Sequence, residues 1–251
     1  MADFEIGIIG GTGGIGRWFV DFFKNEGYIV HTSGRKTGLN IDEMTRRCGV
    51  VIVSVPIGVT CDVIRQVGPR MKDGSLLMDF TSLKEEPVRC MLESSASEVM
   101  GCHPLFGPDV TSLEGQNIVL FPARIEKWKG WPENIFKKCG AHVFEDSPEK
   151  HDEMMAIIQG LNHLNSITMG TTLKDQGLDL SELKHYTTPL FNKKLEIIAR
   201  VMENSPRLYA ELLTMNPKFP RILTLYKDNL DKLETLIRER DIEGLVKFIE
   251  K

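Results

Sequence analysis

The chain has 251 residues, of which 41% are hydrophobic and 26% are charged, and its formal net charge is −4 at pH 7. This composition is typical of a globular protein with one or two hydrophobic cores, and it excludes a disordered or fibrous chain. The slightly acidic balance argues against nucleic acid as a general partner, because binding phosphates requires an excess of basic residues.

The five cysteines are scattered and form no Cys-x-x-Cys pair. The sequence therefore predicts neither a disulfide framework nor a zinc site, and we expect no other metal because the carboxylates show no ligand spacing. The N-terminus lacks a basic start and a cleavable apolar segment, and no apolar stretch is long enough to span a bilayer. These features favour a cytoplasmic protein that does not bind membranes.

A short apolar strand at residues 6–9 leads directly into a glycine-rich turn and then into an amphipathic helix that ends near Asn25. Gly11 is expected to make the tight turn, Gly13 to let amides approach a pyrophosphate, and Gly16 to let the helix pack on the strand. The helix N-terminus adds amides and the positive end of its dipole. We predict a dinucleotide site here, and a glycine-rich hairpin is the alternative. The expected cofactor contacts are Gly11, Thr12, Gly13, Gly14, Ile15 and Gly16.

Strand-like and helical stretches alternate through the rest of the first half. Apolar runs predict six further strands. They span residues 28–32, 50–54, 76–80, 99–103, 118–121 and 142–144. The alternation predicts a Rossmann-type, doubly wound α/β sheet in a dinucleotide-binding domain of residues 1–147.

Residues 148–251 have helical spacing throughout, which predicts an all-helical C-terminal domain. Pro148 is expected to begin a long helix at its first turn. Later helices are predicted at residues 190–203, 206–213, 220–238 and 242–250. Their apolar stripes exceed what a small helical lobe buries alone, which favours a homodimer.

The end of the second strand indicates which nicotinamide cofactor is used. An acidic residue there would bind the ribose hydroxyls of NAD, but no acid occurs between Glu26 and Asp42. Ser33, Arg35 and Lys36 instead suit the 2′-phosphate of NADP, because arginine donates a fork of charge-assisted hydrogen bonds to phosphate. NADP is therefore the predicted cofactor, whereas a merely solvated basic loop would leave NAD possible.

Three segments of the first half carry a family resemblance: VIVSVPIGVT at 51–60, DFTSLK at 79–84 and GCHPLFGPD at 101–109. In order and spacing they resemble the prephenate dehydrogenase family, and the His-Pro-x-x-Gly-Pro block is the specific part. Residues 188–191, 195–197, Arg200 and residues 205–210 are similar to the same family. The resemblance covers roughly residues 4–215 and thins out beyond them.

The resemblance implies oxidation of prephenate by a nicotinamide cofactor, with loss of carbon dioxide, to give 4-hydroxyphenylpyruvate on the route to tyrosine. It implies that His103 is the base that accepts the hydroxyl proton, a role that suits a neutral imidazole. Ser82 would bridge the imidazole, the substrate and the nicotinamide. The sequence also suits it as the N-cap of a helix that begins near Lys84, with Glu85 three positions on, and the two roles are compatible. The turn Ser54, Val55 and Pro56 is expected to contact the cofactor.

Two residues of the helical half match substrate-binding positions of the family. Arg200 would grip a prephenate carboxylate with its guanidinium fork, although an arginine in a surface ion pair is the alternative. His163 matches a histidine near the substrate. His151 lies on another face of the same predicted helix and is expected near the domain junction.

Other functions remain open on the sequence alone. The protein could be a dehydrogenase of arogenate or another hydroxy acid, or a non-catalytic NADP-binding sensor whose helical half is an interaction module. The joint presence of His103, Ser82 and Arg200 disfavours the sensor.

Overall fold

The structure is a computed structural model that describes residues 3–34, 38–177, 183, 185–203 and 205–250. The chain divides into two compact units, residues 1–152 and 153–251, called here the first unit and the second unit. The helix that begins at Pro148 crosses this division.

The first unit is built on a seven-stranded sheet with the strand order β2-β1-β3-β4-β5-β6-β7. Neighbouring strands are parallel except for β5 and β6, which are antiparallel. The strands are β1 (Ile6–Ile9), β2 (Val30–Ser33), β3 (Val50–Val53), β4 (Leu76–Asp79), β5 (Glu98–Pro104), β6 (Asn117–Arg124) and β7 (His142–Glu145). The predicted α/β sheet is confirmed.

Both faces of the sheet are covered. In β3, Val50 and Ile52 enter one apolar cluster, and Val51 and Val53 enter the other. This alternation follows from the two-residue period of a strand, and a parallel strand that is apolar throughout needs cover on both sides. The helices of this unit are α1 (Gly14–Asn25), α2 (Ile41–Arg47), α3 (Ile57–Val67), α4 (Glu85–Ser94) and α5 (Trp131–Lys138), and a 3₁₀ turn (Gly68–Arg70) follows α3.

The second strand begins two residues later than the sequence predicts. Gly27 has φ +88°, its N–H donates to Lys24 O, and Tyr28 N donates to Phe23 O at 3.0 Å. This hydrogen-bond pattern is a Schellman-type helix end, so Gly27 and Tyr28 terminate α1 and cannot belong to the strand.

The chain reverses its direction of progress across the sheet between β1 and β3. β1 lies between β2 and β3 in the sheet. The chain therefore leaves the carboxyl end of β1 towards one side of the sheet and the carboxyl end of β3 towards the other. Open α/β sheets bind ligands at this kind of switch point. The two loops are in contact, since a Cβ on Gly10 would lie only 2.0 Å from Ser54 O.

The second unit is helical, as predicted. Its elements are the end of α6 (Pro148–Met155), a π-helical segment (Ala156–Leu161), α7 (Asn162–Asp175), α8 (Pro189–Glu203), α9 (Pro206–Met215), α10 (Phe219–Glu239) and α11 (Ile242–Ile249). None of the helices in the described ranges has the length and apolar composition needed to cross a lipid bilayer.

The helical spacing after Pro148 predicts one regular α-helix, and the π-helical segment departs from that prediction. Gly160 lies in this segment, and a Cβ there would be 2.4 Å from Phe219 Cδ2 at the start of α10. The missing side chain therefore lets α10 approach closely. Since π-helix winds differently from α-helix, the regular rotation between His151 and His163 assumed from the sequence does not apply.

Candidate active site

The glycine-rich loop makes its tight turn one residue earlier than the sequence predicts. Gly10 has φ +83°, a conformation that favours glycine, whereas Gly11 does not have positive φ. A Cβ on Gly11 would lie 2.7 Å from Thr32 Cγ2, so Gly11 is required for packing against β2. Gly16 has the predicted role, because a Cβ there would be 2.4 Å from Gly10 O.

The start of α1 has the features of a pyrophosphate site. Gly13 is its N-cap, and Thr12, Gly13 and Gly14 are exposed. The amides of a first helical turn have no acceptor within the helix and are available to an anion. Ile15 is half-buried and packs on the core. The loop therefore fits the phosphates of a dinucleotide.

The other predicted cofactor residues border this loop. Ser33 is buried at the end of β2, and its carbonyl accepts a 2.8 Å hydrogen bond from Gly10 N. Ser54 and Val55 are half-buried and Pro56 is exposed. The predicted phosphate ligands Arg35 and Lys36 lie outside the described residues.

His103 is the penultimate residue of β5 and is buried. Its Nδ1 lies 2.8 Å from His151 Nε2, and His151 Nδ1 lies 2.9 Å from Asp152 Oδ1. The Asp152 carboxylate also accepts hydrogen bonds from Lys84 N and Glu85 N, each at 2.9 Å. We call His103, His151 and Asp152 the histidine relay. All three residues belong to the first unit.

The hydrogen bonds of the relay indicate which nitrogen of His103 carries the proton. A carboxylate only accepts hydrogen bonds, so the proton shared with Asp152 is on His151 Nδ1, and a neutral His151 then accepts at Nε2. His103 must donate from Nδ1, which leaves the lone pair on Nε2. Burial is the main cause that holds the pKa of His103 well below its usual 6.5, and the charge of Lys84 acts in the same direction. His103 is therefore a neutral imidazole, and its Nε2, which has no hydrogen-bond partner in the described part of the chain, can accept a proton from a bound molecule.

A fully buried ion pair lies beneath the relay. Lys84 Nζ contacts Asp79 Oδ2, and it donates to Cys102 O at 3.0 Å. Asp79 ends β4 and accepts from Thr81 N at 2.9 Å, so the pair fixes the segment that contains Ser82. The lysine charge also disfavours protonation of His103.

Ser82 is half-buried and makes no hydrogen bond to another described residue. The N-cap interpretation of Ser82 is wrong: α4 begins at Glu85 with Lys84 as N-cap, and Asp152 supplies the acceptor for its first amides. The capping group is remote in sequence, so the local Ser-x-x-Glu pattern could not reveal it. The structure records no hydrogen bond between Ser82 and His103 among the described residues.

The two predicted substrate residues lie in the second unit. His163 packs against the Tyr209 ring at a centroid distance of 4.7 Å, and burial lowers its pKa. Its Nδ1 and Gln159 Oε1 are buried with no hydrogen-bond partner among the described residues. Arg200 is exposed on α8 beside the buried Val201.

Sequence reasoning missed the partners of His103. The sequence places His151 only near the domain junction. It indicates no role in the site for Asp152 or Lys84. The one local signal is the adjacent His-Asp pair in the first turns of a helix that begins with proline. Nothing in the sequence connects that pair to His103, which is 48 positions away.

Three features define the class of protein: a glycine-rich loop at the switch point of the sheet, a buried histidine at the carboxyl end of another strand, β5, and a helical second unit. They are the features of a two-domain protein with a Rossmann-type nucleotide-binding domain. The model of the prephenate dehydrogenase nucleotide-binding domain matches residues 25–145, and that of the prephenate dehydrogenase dimerization domain matches residues 147–251. The chain belongs to the prephenate dehydrogenase family, which confirms the resemblance.

Similar proteins agree with this assignment. A probable arogenate/prephenate dehydrogenase of Methanocaldococcus jannaschii is 36% identical over 98% of this chain and 59% of its own length. The T-protein of Haemophilus influenzae is 29% identical over 98% of this chain and 66% of its own length. The chain thus spans about 59% to 66% of these two curated relatives.

The fold also matches a solved structure. Prephenate dehydrogenase from A. aeolicus, in complex with hydroxyphenyl propionate and NAD⁺, superposes with a TM-score of 0.74 at 18% identity. The match covers 100% of this chain and 96% of that chain. At this identity, the similarity establishes the fold.

Proposed function

We propose that this protein oxidises and decarboxylates prephenate to 4-hydroxyphenylpyruvate in tyrosine biosynthesis, with hydride transfer to NADP or NAD. The observation that carries the proposal is the neutral, buried His103, whose Nδ1 is held by the relay and whose Nε2 is left to accept a proton. His103 lies at the carboxyl edge of the sheet, as does the glycine-rich loop, and family membership supports the substrate class.

In the proposed reaction, the first-turn amides of α1 bind the pyrophosphate. The bound dinucleotide supplies the hydride acceptor. His103 Nε2 takes the proton of the ring hydroxyl while hydride leaves the same carbon. The ring carboxylate departs as carbon dioxide, and the electron pair of the broken C–C bond makes the ring aromatic and the ring oxygen a phenolate. The phenolate then takes the proton back from His103, which gives the hydroxyl group of 4-hydroxyphenylpyruvate. The burial of His103 keeps it unprotonated before substrate binds.

The remaining predicted residues complete the proposal. Ser82 would contact the imidazole and the substrate hydroxyl, since it lies within the segment that the Lys84–Asp79 pair fixes. Arg200 would bind a substrate carboxylate, and His163 would bind the substrate with its unpartnered nitrogen. Among the cofactors we favour NADP, because the sequence from the end of β2 onwards offers Ser33, Arg35 and Lys36 and no acid before Asp42.

The test is an absorbance assay for reduced nicotinamide with each pairing of prephenate or arogenate and NAD or NADP. We expect turnover with prephenate. His103→Asn should lower turnover by a factor on the order of 10² or more and leave cofactor affinity nearly intact. His142→Asn is the matched control, because His142 is exposed on β7. Arg200→Gln should act mainly by raising KM.

Several outcomes would contradict the proposal. If only arogenate is turned over, the substrate is arogenate and not prephenate. Cofactor binding without turnover of either substrate would favour a sensor. Wild-type turnover in His103→Asn would remove that residue from the mechanism.

A further inference from the structure

Two thiols and a carboxylate meet between α3 and α4. The ligand atoms of Cys61, Glu86 and Cys90 all lie within 4.8 Å of one another. We propose that these three residues bind a thiophilic divalent cation of the zinc class. None of them belongs to the relay or to the glycine-rich loop, so the site goes beyond the proposed function.

The helices place the three side chains by simple geometry. Glu86 and Cys90 are four residues apart in α4, so they lie on the same helix face. Cys61 is on α3, which packs against α4. Cys90 is buried, Cys61 is half-buried and Glu86 is exposed, so the cluster is accessible to solvent from the glutamate side. A cation could therefore enter without unfolding the protein.

The spacing suits tetrahedral coordination. Two thiolate sulfurs bound to zinc at about 2.3 Å are about 3.8 Å apart when the site is tetrahedral. The ligand atoms must therefore approach by at most about 1 Å, which side-chain rotation can supply. Three protein ligands leave the fourth position to water. Two sulfur donors favour soft or borderline cations over Mg²⁺ and Ca²⁺.

Nearby charge also supports the site. Two thiolates and one carboxylate carry one more negative charge than a divalent cation neutralises. Arg65 Nη2 lies 3.6 Å from Cys90 Sγ and supplies a positive charge, while its Nη1 lies 3.2 Å from Asp62 Oδ1. Binding would displace the thiol protons and join α3 to α4.

A cation bound between α3 and α4 would connect two parts of the proposed active site. α3 begins directly after Pro56 of the cofactor loop, and the first amides of α4 hold Asp152 of the relay. A bound cation would therefore restrain both helices at the ends that face the dinucleotide and His103.

The test uses the full chain with its five cysteines reduced. Titration with Co²⁺ should reveal one ion per chain, with thiolate charge-transfer absorption and the visible bands of tetrahedral Co²⁺, and Zn²⁺ should displace it. Cys61→Ser should weaken binding by at least about tenfold, the scale of losses around metal sites. Cys139→Ser is the matched control, because Cys139 is also half-buried and lies outside the cluster.

A second variant avoids the risk of misfolding. Glu86 is exposed, so Glu86→Gln should fold normally and weaken Co²⁺ binding by about tenfold while retaining the thiolate absorption. Zn²⁺ should raise the Tm of the wild type but not that of Cys61→Ser. No stoichiometric binding, unchanged affinity in Cys61→Ser, or equal loss in Cys139→Ser would overturn the site. None of these measurements depends on catalytic turnover.

Discussion

At the scale of single residues, the relay explains how a buried histidine can act as a base. Burial alone would keep His103 neutral, but it would not choose which nitrogen carries the proton. The Asp152 carboxylate orients His151, and His151 orients His103, as an aspartate orients the histidine of a hydrolase triad. His151 is therefore a positioning residue in the proposed mechanism.

Replacing His151 tests this role. His151→Phe removes the acceptor for His103 Nδ1, and leaving a buried donor unpaired costs about 1–3 kcal/mol. This cost destabilises the His103 tautomer that has its lone pair on Nε2, which is the reacting one. We therefore expect kcat to fall roughly 5- to 150-fold with little change in KM. His151→Gln offers an oxygen acceptor and should restore part of the loss. Equal kcat in the wild type and His151→Phe, measured on folded protein, would refute the positioning role.

The neutral state of His103 also predicts how stability depends on pH. Its native pKa lies well below 6.5, whereas the unfolded chain binds this proton near pH 6.5. Above that pH neither state is protonated, and stability is unaffected. As pH falls below 6.5, the unfolded state takes up the proton first, so the native state loses up to about 1.4 kcal/mol per pH unit until the native pKa is reached.

Urea unfolding of the wild type and His103→Asn between pH 7.5 and 5 isolates this effect. The free energy of unfolding of the wild type should decline more steeply with falling pH than that of the variant. Parallel declines would mean that His103 titrates alike in both states.

At the scale of secondary-structure elements, long-range contacts determine how the loops and helix ends are held. The first turn of α4 is capped by Asp152 from α6 instead of by a neighbour in sequence. Ser33, at the end of β2, is tied to the turn glycine of β1. The carboxyl end of β2 is therefore attached to the glycine-rich loop.

Changing Arg35 tests whether that loop reads a 2′-phosphate. Arg35→Ala should remove roughly 1.5–3 kcal/mol of NADP affinity, the range for hydrogen bonds to charged groups, and should barely alter NAD affinity. The wild-type preference for NADP should shrink as salt rises, because an exposed charge attraction is screened. Calorimetric titration with both cofactors measures these effects. Arg46→Ala, on the exposed face of α2, is the control. A wild-type preference for NAD, or equal weakening of both cofactors, would contradict NADP recognition.

At the scale of the whole molecule, the second unit exposes more apolar surface than an isolated helical lobe needs. Large apolar side chains on α10 and α11 are 41–73% exposed. They are Leu223, Leu225, Leu230, Ile237, Ile242, Val246 and Ile249. Large apolar side chains exposed in this number on two consecutive helices are typical of a subunit interface. We therefore propose a homodimer formed through the second unit, and the match to a dimerization domain supports it.

Light scattering at micromolar concentration should give about twice the chain mass of 28.4 kDa. Ile237→Glu should shift the protein towards monomer, because it places a charge where apolar contact is proposed. Thr235→Glu, at an exposed polar position of the same helix, should leave the mass unchanged. A wild-type monomer would end the dimer proposal.

The sequence by itself determined the architecture of the chain and the position of the glycine-rich nucleotide loop. Apolar periodicity separates strands from helices, and three glycines before a helix indicate a nucleotide loop, because both signals are carried by residues close together in the chain. His103 could be placed at a strand end for the same reason. The location of the turn glycine, the start of β2 and the π-helical segment differ from the prediction, because hydrogen bonds and close packing determine them more than composition does.

Only the tertiary structure decided which side chains meet. It brings His151 to His103, Asp152 to the start of α4, Lys84 to Asp79, and Cys61 to Cys90. The sequence predicted no metal ligands because the two cysteines are far apart and lack a motif. Except for the contact between Lys84 and Asp79, each of these contacts joins segments that are distant in sequence. All of them depend on strand order, helix packing and side-chain direction. Local propensity contains no information about such contacts, since they exist only once the sheet and its covering helices have assembled.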